Sequence, residues 1–237
     1  MAVESSQRVL HCAAEYFPFV KTGGLADVVA ALPQAQRQRG CDSRVVLPGS
    51  PGVLQALASP SLLVDVGNVF GCGRLKVVQG YLGPHSQPVY ALDAPLFFDR
   101  LGGPYQDEHG QDWPDNAQRF ALLGWVAAQL AAGRLDPLWQ PNVLHAHDWH
   151  SALSLAYLAA HGVGGVARIF TIHNLAYQGL FPLSDHALIG LSSRWLTPQA
   201  LEFHGQLSFM KAGLTFADRI TTVSPTYARE IIHAERG

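Results

Sequence analysis

Three short segments of this 237-residue chain concentrate side chains able to do chemistry. The first, Glu15-Tyr16-Phe17-Pro18-Phe19-Val20-Lys21-Thr22-Gly23-Gly24, follows an apolar run and leads into helical periodicity at Leu25. Strand, glycine loop and helix N-terminus in that order suit an anion, because the first N–H groups of a helix lack intrahelical partners and the helix dipole favours negative charge there. Gly23 and Gly24 put no Cβ between backbone and ligand, Lys21 adds a mobile positive charge, and Asp27 on the first helical turn can accept from a hydroxyl. A diphosphate fits such a loop. The same residues also make a plain turn, with Lys21 in solvent and Asp27 complementing the dipole. Neither GxGxxG nor the P-loop pattern is present, so spacing leaves both readings open.

The second segment is His145-Ala146-His147-Asp148-Trp149-His150. Its imidazoles and carboxylate invite zinc, with His145, His147 and His150 as ligands activating a water for hydrolysis. The hydrolase string HxHxDH, however, places Asp directly before the last His, whereas here Trp149 intervenes and Asp148 stands one place earlier. The competing assignment keeps His145 hydrogen-bonded in the core, lets Asp148 cap the next helix and packs Trp149. The third segment, Thr171 to Gly179, reads TIHNLAYQG after another β-like run. His173 can present its ring or carbonyl to a sugar, with hydrogen bonds to hydroxyls from Asn174 and Gln178; as a mere turn, Asn174 would satisfy backbone groups and Tyr177 would pack. Gly103-Pro104-Tyr105 is a turn carrying an aromatic ring, a common sugar platform but by itself an ordinary loop.

Such segments work together only if a scaffold brings strand ends side by side. Short β-rich runs alternating with longer Ala/Leu-rich runs predict βαβ units and an α/β fold with a doubly wound, mainly parallel, Rossmann-like sheet. Expected strands are Arg8–Ala13, Ser43–Leu47, Val143–Ala146, Ala167–Ile172 and Arg219–Val223. Expected helices are Leu25–Arg39, kinked at Pro33, Asp115–Ala132, stopped by Gly133, Ser151–Ala160, Ser208–Ala217, and a last one capped by Ser224-Pro225 and running to the end. Between about residues 62 and 98, glycine-punctuated β-like runs suggest a hairpin-rich insertion.

Composition narrows the classes. With 48% hydrophobic and 14% charged residues the chain can bury a large core, and a net charge of −2 gives no basic field to hold a nucleic-acid backbone. Cys12, Cys41 and Cys72 are odd in number and show no CxxC spacing, which fits a reducing compartment. No run reaches the ~20 apolar residues of a membrane helix. The opening MAVESSQRVLHCAAE has neither the charged start nor the cleavage site of a secretory signal and is too short for a plastid transit peptide. The expectation is a cytoplasmic bacterial protein, or a mature plastid form.

KTGGLADVV preceded by E-x-x-P resembles the first-loop signature of glycogen and starch synthases. VLHAHDWH, TIHNLAYQG, the run from Phe203 to Gly213 and ADRITTVSPTYAREI resemble that family in the same order, from Glu15 to Ile231. The resemblance implies the first, acceptor-side domain of a two-domain GT-B enzyme. Such an enzyme transfers glucose from ADP-glucose to the non-reducing end of an α-1,4-glucan with retention. It further implies that the nucleotide-binding C-terminal domain has no counterpart in residues 1–237, that His173 contacts the transferred glucose and Asp148 lines the cleft with Trp149 and His150, and that Tyr105 touches sugar or acceptor. Glu15 and Asp27 then shape the acceptor side, Lys21, Gly23 and Gly24 face the leaving diphosphate, and Asn174 and Gln178 assist, with no metal or other cofactor. The alternatives are the zinc hydrolase and a non-catalytic glucan-binding module.

Overall fold

The computed structural model describes residues 6–233. Its elements in chain order are β1 (Arg8–Cys12), α1 (Leu25–Arg37), β2 (Asp42–Pro48), α2 (Pro51–Ala56), β3 (Ala58–Gly67), β4 (Leu75–Leu82), β5 (Gln87–Asp93), α3 (Pro95–Phe98), α4 (Asn116–Ala131), β6 (Val143–His147), α5 (Trp149–Ala160) and β7 (Ala167–Ile172). Then follow β8 (Leu180–Pro182), β9 (Glu202–Phe203), β10 (Gln206–Ser208), α6 (Phe209–Phe216), β11 (Arg219–Thr222) and α7 (Pro225–Glu230).

Eight strands form one sheet in the order β11-β7-β6-β1-β2-β5-β4-β3, and β8, β10 and β9 form a small separate one. From β11 through β5 every neighbouring pair is parallel; β4 and β3 add on antiparallel. The doubly wound, mainly parallel sheet expected from the sequence is therefore present. The β-rich stretch expected over residues 62–98 consists of β3, β4 and β5, followed by the short α3, and it continues the main sheet through the β2–β5 pairing.

Because successive side chains of a strand point to opposite faces, the buried strands feed two cores. Leu10, Cys12, Val46, Leu144, Ala146 and Phe170 pack under α4, α5 and α6 on one face. Ala13, Val45, Leu47, Val89 and Ala91 pack on the other, under Leu25 and Val29 of α1. The α4 and α5 helices approach closely at Gly124, where an added Cβ would lie 2.8 Å from the Ser154 amide nitrogen. Residue type thus sets the layer spacing.

Most strand and helix boundaries fall within a residue of the expectation; three helix ends depart further. Helix α1 continues through Pro33, one hydrogen bond short, and stops at Arg37. Helix α5 starts two residues early, at Trp149, because the backbone turns sharply at Asp148. The last helix does not run to the chain end: α7 stops at Glu230, residues 231–233 lie in turn or bend, and residues 234–237, like residues 1–5 of the N-terminal segment, are outside the described residues. Among the described residues no helix is long and apolar enough to cross a membrane.

Candidate active site at the switch point of the sheet

From β1 the chain lays down β2 and then β5 on one side, and afterwards returns to β6 on the other side of β1. Where strand order reverses in this way, the loops at the carboxyl ends diverge and leave a crevice that binds ligands. The loops after β1, β6 and β7 carry the three segments singled out in the sequence, and these strands are parallel neighbours.

In the first loop Glu15 is 2% exposed. Its Oε2 accepts the Thr22 amide N–H at 2.8 Å, and its Oε1 accepts the Thr22 hydroxyl at 2.6 Å and the Tyr105 hydroxyl at 2.6 Å. Glu15 therefore braces the Lys-Thr-Gly-Gly turn from below and ties it to the Tyr105 loop. Gly23 and Gly24 are exposed with nothing within 4 Å of an added Cβ, and α1 begins after Gly24 with no side-chain cap. Lys21 and Asp27 are both exposed, as the turn reading has them, and they pair: Lys21 Nζ meets Asp27 Oδ2 at 2.8 Å. A surface pair of this kind contributes little to stability and is readily opened by a competing anion.

Asp148 follows β6 directly and does not cap α5 with its side chain. The sequence alternative is corrected here: Oδ1 instead accepts the His173 amide N–H at 2.7 Å, with the Asn174 N–H at 3.4 Å, so the carboxylate joins the β6 and β7 loops. Burial pushes its pKa up to about 6, against the lowering by those two N–H groups, and the nearby Glu15 charge raises it further. Burial holds His173 down to about 4, with Glu15 opposing, so its ring is neutral near pH 7. Asn174 is exposed and its Oδ1 accepts the Ala176 N–H at 3.0 Å, the local turn bond weighed from sequence. Gln178 lends its carbonyl to the Met210 N–H at 3.0 Å and remains half-buried.

Trp149 and His150 sit behind the crevice rather than across its mouth. Trp149 packs edge-on to Phe120 with ring centres 4.9 Å apart and touches Phe181 and Phe209. His150 is 5% exposed and stacks on Tyr105 at 4.6 Å, so it anchors the platform ring. Burial raises the Tyr105 phenol well above its ordinary value, Glu15 adding to the rise.

The ligand set of the alternative zinc reading is not assembled, because His150 lies on α5, stacked on the Tyr105 ring, away from His145 and His147. What those two meet is His11 on β1, whose register places it opposite His145. His11, His145 and His147 bring nitrogens within 4.8 Å of one another, yet each ring already spends a nitrogen on a protein partner: His11 Nδ1 and His147 Nε2 on each other at 3.0 Å, and His145 Nε2 on the Thr171 hydroxyl at 2.6 Å. Sequence reasoning missed His11 and Thr22. A histidine inside the first buried strand, at the same alternation as His145 and His147, was the available signal for His11.

Over residues 8–237 the chain matches the family model described as the starch synthase catalytic domain. The chain belongs to the starch synthase family. It is 50% identical over 234 residues to a glycogen synthase of Francisella philomiragia subsp. philomiragia and 49% identical to one of Francisella tularensis subsp. tularensis, covering 97% of this chain and 48% of each relative. Its fold is similar, at TM-score 0.82 and 29% identity, to the catalytic domain of starch synthase IV from Arabidopsis thaliana bound to ADP and acarbose, covering 98% of this chain and 48% of that one. The Rossmann-like sheet is thus one of GT-B type, and the chain spans about half the length of the curated relatives it matches.

Proposed function

We propose that this chain is the acceptor-side half of a retaining glucosyltransferase that moves glucose from ADP-glucose to the non-reducing end of an α-1,4-glucan. The observation that carries the reading is the convergence, at one switch-point crevice, of an uncapped helix N-terminus with the Asp148–His173 pair. Family membership and a relative bound to ADP and acarbose support a nucleoside diphosphate and a glucan-like ligand.

In the reaction the bond from the anomeric carbon to the diphosphate oxygen breaks, its electron pair leaving with ADP. The acceptor hydroxyl forms the new bond on the same face and passes its proton to the departing diphosphate oxygen. The Gly23-Gly24 loop, the α1 N-terminus and Lys21, released from Asp27, stabilise the charge growing on the leaving diphosphate, with dipoles already in place. His173, neutral, binds the glucose, with Asp148 beside it and Asn174 and Gln178 at its edge. Glu15, Asp27 and Tyr105 shape the acceptor side, and Trp149 and His150 back the platform. No step calls for a metal or other cofactor. The nucleotide base and a glutamate near the glucose come from a second domain, so residues 1–237 alone do not complete the site. Three free cysteines suit a reducing bacterial cytoplasm.

The test is glucose transfer to maltooligosaccharide by the full-length protein, with ADP-glucose and UDP-glucose compared, beside the isolated 237 residues. ADP-glucose turnover by the full-length protein and none by the isolated chain is expected. Turnover by the isolated chain refutes the half-site, a UDP-glucose preference refutes the donor, and maltooligosaccharide binding without transfer refutes the enzyme in favour of a glucan-binding module.

A further inference from the structure

A line of three histidines runs beneath the site from helix α1 to the β7 loop. Gln36 Oε1 lies 2.8 Å from His11 Nε2, His11 Nδ1 lies 3.0 Å from His147 Nε2, and His147 Nδ1 lies 3.0 Å from His173 Nε2. His11 and His147 are fully buried, where unpaired polar groups are costly, and here both nitrogens of each ring are engaged.

A neutral imidazole carries one N–H and one lone pair, so a hydrogen-bonded row of neutral rings can point only one way at a time. Burial keeps the rings neutral: it holds His11 down to about 4, His147 well below its ordinary value and His173 to about 4. The direction is set at the helix end. Gln36 presents its Oε1 there, and an amide oxygen can only accept; it takes the Ser43 hydroxyl at 2.8 Å as well. His11 must then donate from Nε2 and accept at Nδ1, His147 must donate from Nε2 and accept at Nδ1, and His173 must donate from Nε2 to His147.

We propose that Gln36, acting through His11 and His147, is a positioning residue that fixes His173 as its Nε2–H tautomer, with the ring held in place and Nδ1 left to accept a hydrogen bond from a ligand. That this ligand group is a sugar hydroxyl rests on the function proposed above; the tautomer does not. A ring fixed in advance offers its acceptor without reorganisation when ligand arrives.

The experiment is long-range proton–nitrogen NMR of the imidazoles in the 15N-labelled 237-residue chain near neutral pH, without sugar or nucleotide, the His173 signals being assigned by their loss in His173→Gln. In the unsubstituted chain His11, His147 and His173 are expected to be protonated at Nε2 and bare at Nδ1. Gln36→Lys replaces the terminal acceptor with a donor and is expected to reverse the row, moving the proton of His173 from Nε2 to Nδ1, three rings away from the substitution. Protonation of His173 at Nδ1 in the unsubstituted chain overturns the proposal, as does an unchanged His173 tautomer in a folded Gln36→Lys chain. Should Gln36→Lys fail to fold, the unsubstituted spectrum decides alone. Failure of glucose transfer in the full-length protein would leave this result untouched, so the two readings fail separately.

Discussion

At Asp148 the backbone takes φ 57° and ψ −179°, a region that residues with a Cβ rarely occupy and that costs on the order of 1–3 kcal/mol. Three bonds hold it there: its N–H donates to the Thr171 carbonyl at 2.9 Å, its carboxylate takes the His173 N–H at 2.7 Å, and its carbonyl accepts the Ser151 hydroxyl at 3.1 Å. The strain aims the carboxylate at the β7 loop instead of the first turn of α5. Asp148→Asn keeps an acceptor for His173 but loses the charge. The full-length variant is expected to fold normally and lose about 100-fold or more in kcat, read by steady-state transfer. Because the Asp148 carboxyl ionises at about 6, transfer that depends on its carboxylate is expected to fall about tenfold per pH unit below that value, measured as kcat/KM against pH. Asp148 was legible in the sequence as a polar residue after a strand. Its positive φ was not, since nothing local to the residue demands it.

At the scale of elements, the loop after β7 is seated on α5 and α6 by Gly179. Its φ is +58°, and a Cβ there would lie 2.4 Å from Trp149 Cε3 and 3.2 Å from Phe209 Cβ. The Phe209 N–H donates to the Gly179 carbonyl at 3.0 Å and the Met210 N–H to Gln178 at 3.0 Å, so β8 through α6 is registered on this point. Gly179→Ala must push Trp149 back or lift the loop. It is expected to cost about 1–3 kcal/mol in urea denaturation, with the same loop displacement weakening ligand binding at His173 and Gln178. Helices α4 and α5 and strands β1, β6 and β7 were legible from apolar periodicity, because long buried runs leave few alternatives. The start of α5 and the joining of β3 to β5 onto the main sheet were not, because both depend on partners distant in sequence.

Over the whole molecule the buried histidines set the acid limit of stability. Burial lowers His11 to about 4, His145 and His150 to about 3, and His147 well below 6.5. Below pH 6.5 the unfolded chain therefore binds protons that the native chain refuses, and stability falls by up to about 1.4 kcal/mol per pH unit for each such histidine. Asp148 works the other way: its raised value lets the native chain take up one extra proton between pH 6 and 3.8. With His173, also held to about 4, five groups outweigh one, so the urea midpoint is expected to drop steeply from pH 6.5 toward 5, and His11→Gln should make the drop shallower. What the sequence by itself determined was the class of sheet, its order of elements and the three segments at strand ends, since alternation, glycine placement and a long run of family-like strings are local properties. Only the tertiary structure decided that His11 rather than His150 joins His145 and His147, that Glu15 braces the glycine loop while Lys21 is held by Asp27, and that Asp148 binds His173. The histidine and Asp148 pairings follow from strand register and from the neighbouring of β1, β6 and β7, which bring together residues as many as 136 positions apart along the chain. The Glu15 and Lys21 bonds instead close within the segment running from β1 into α1 once that loop is folded.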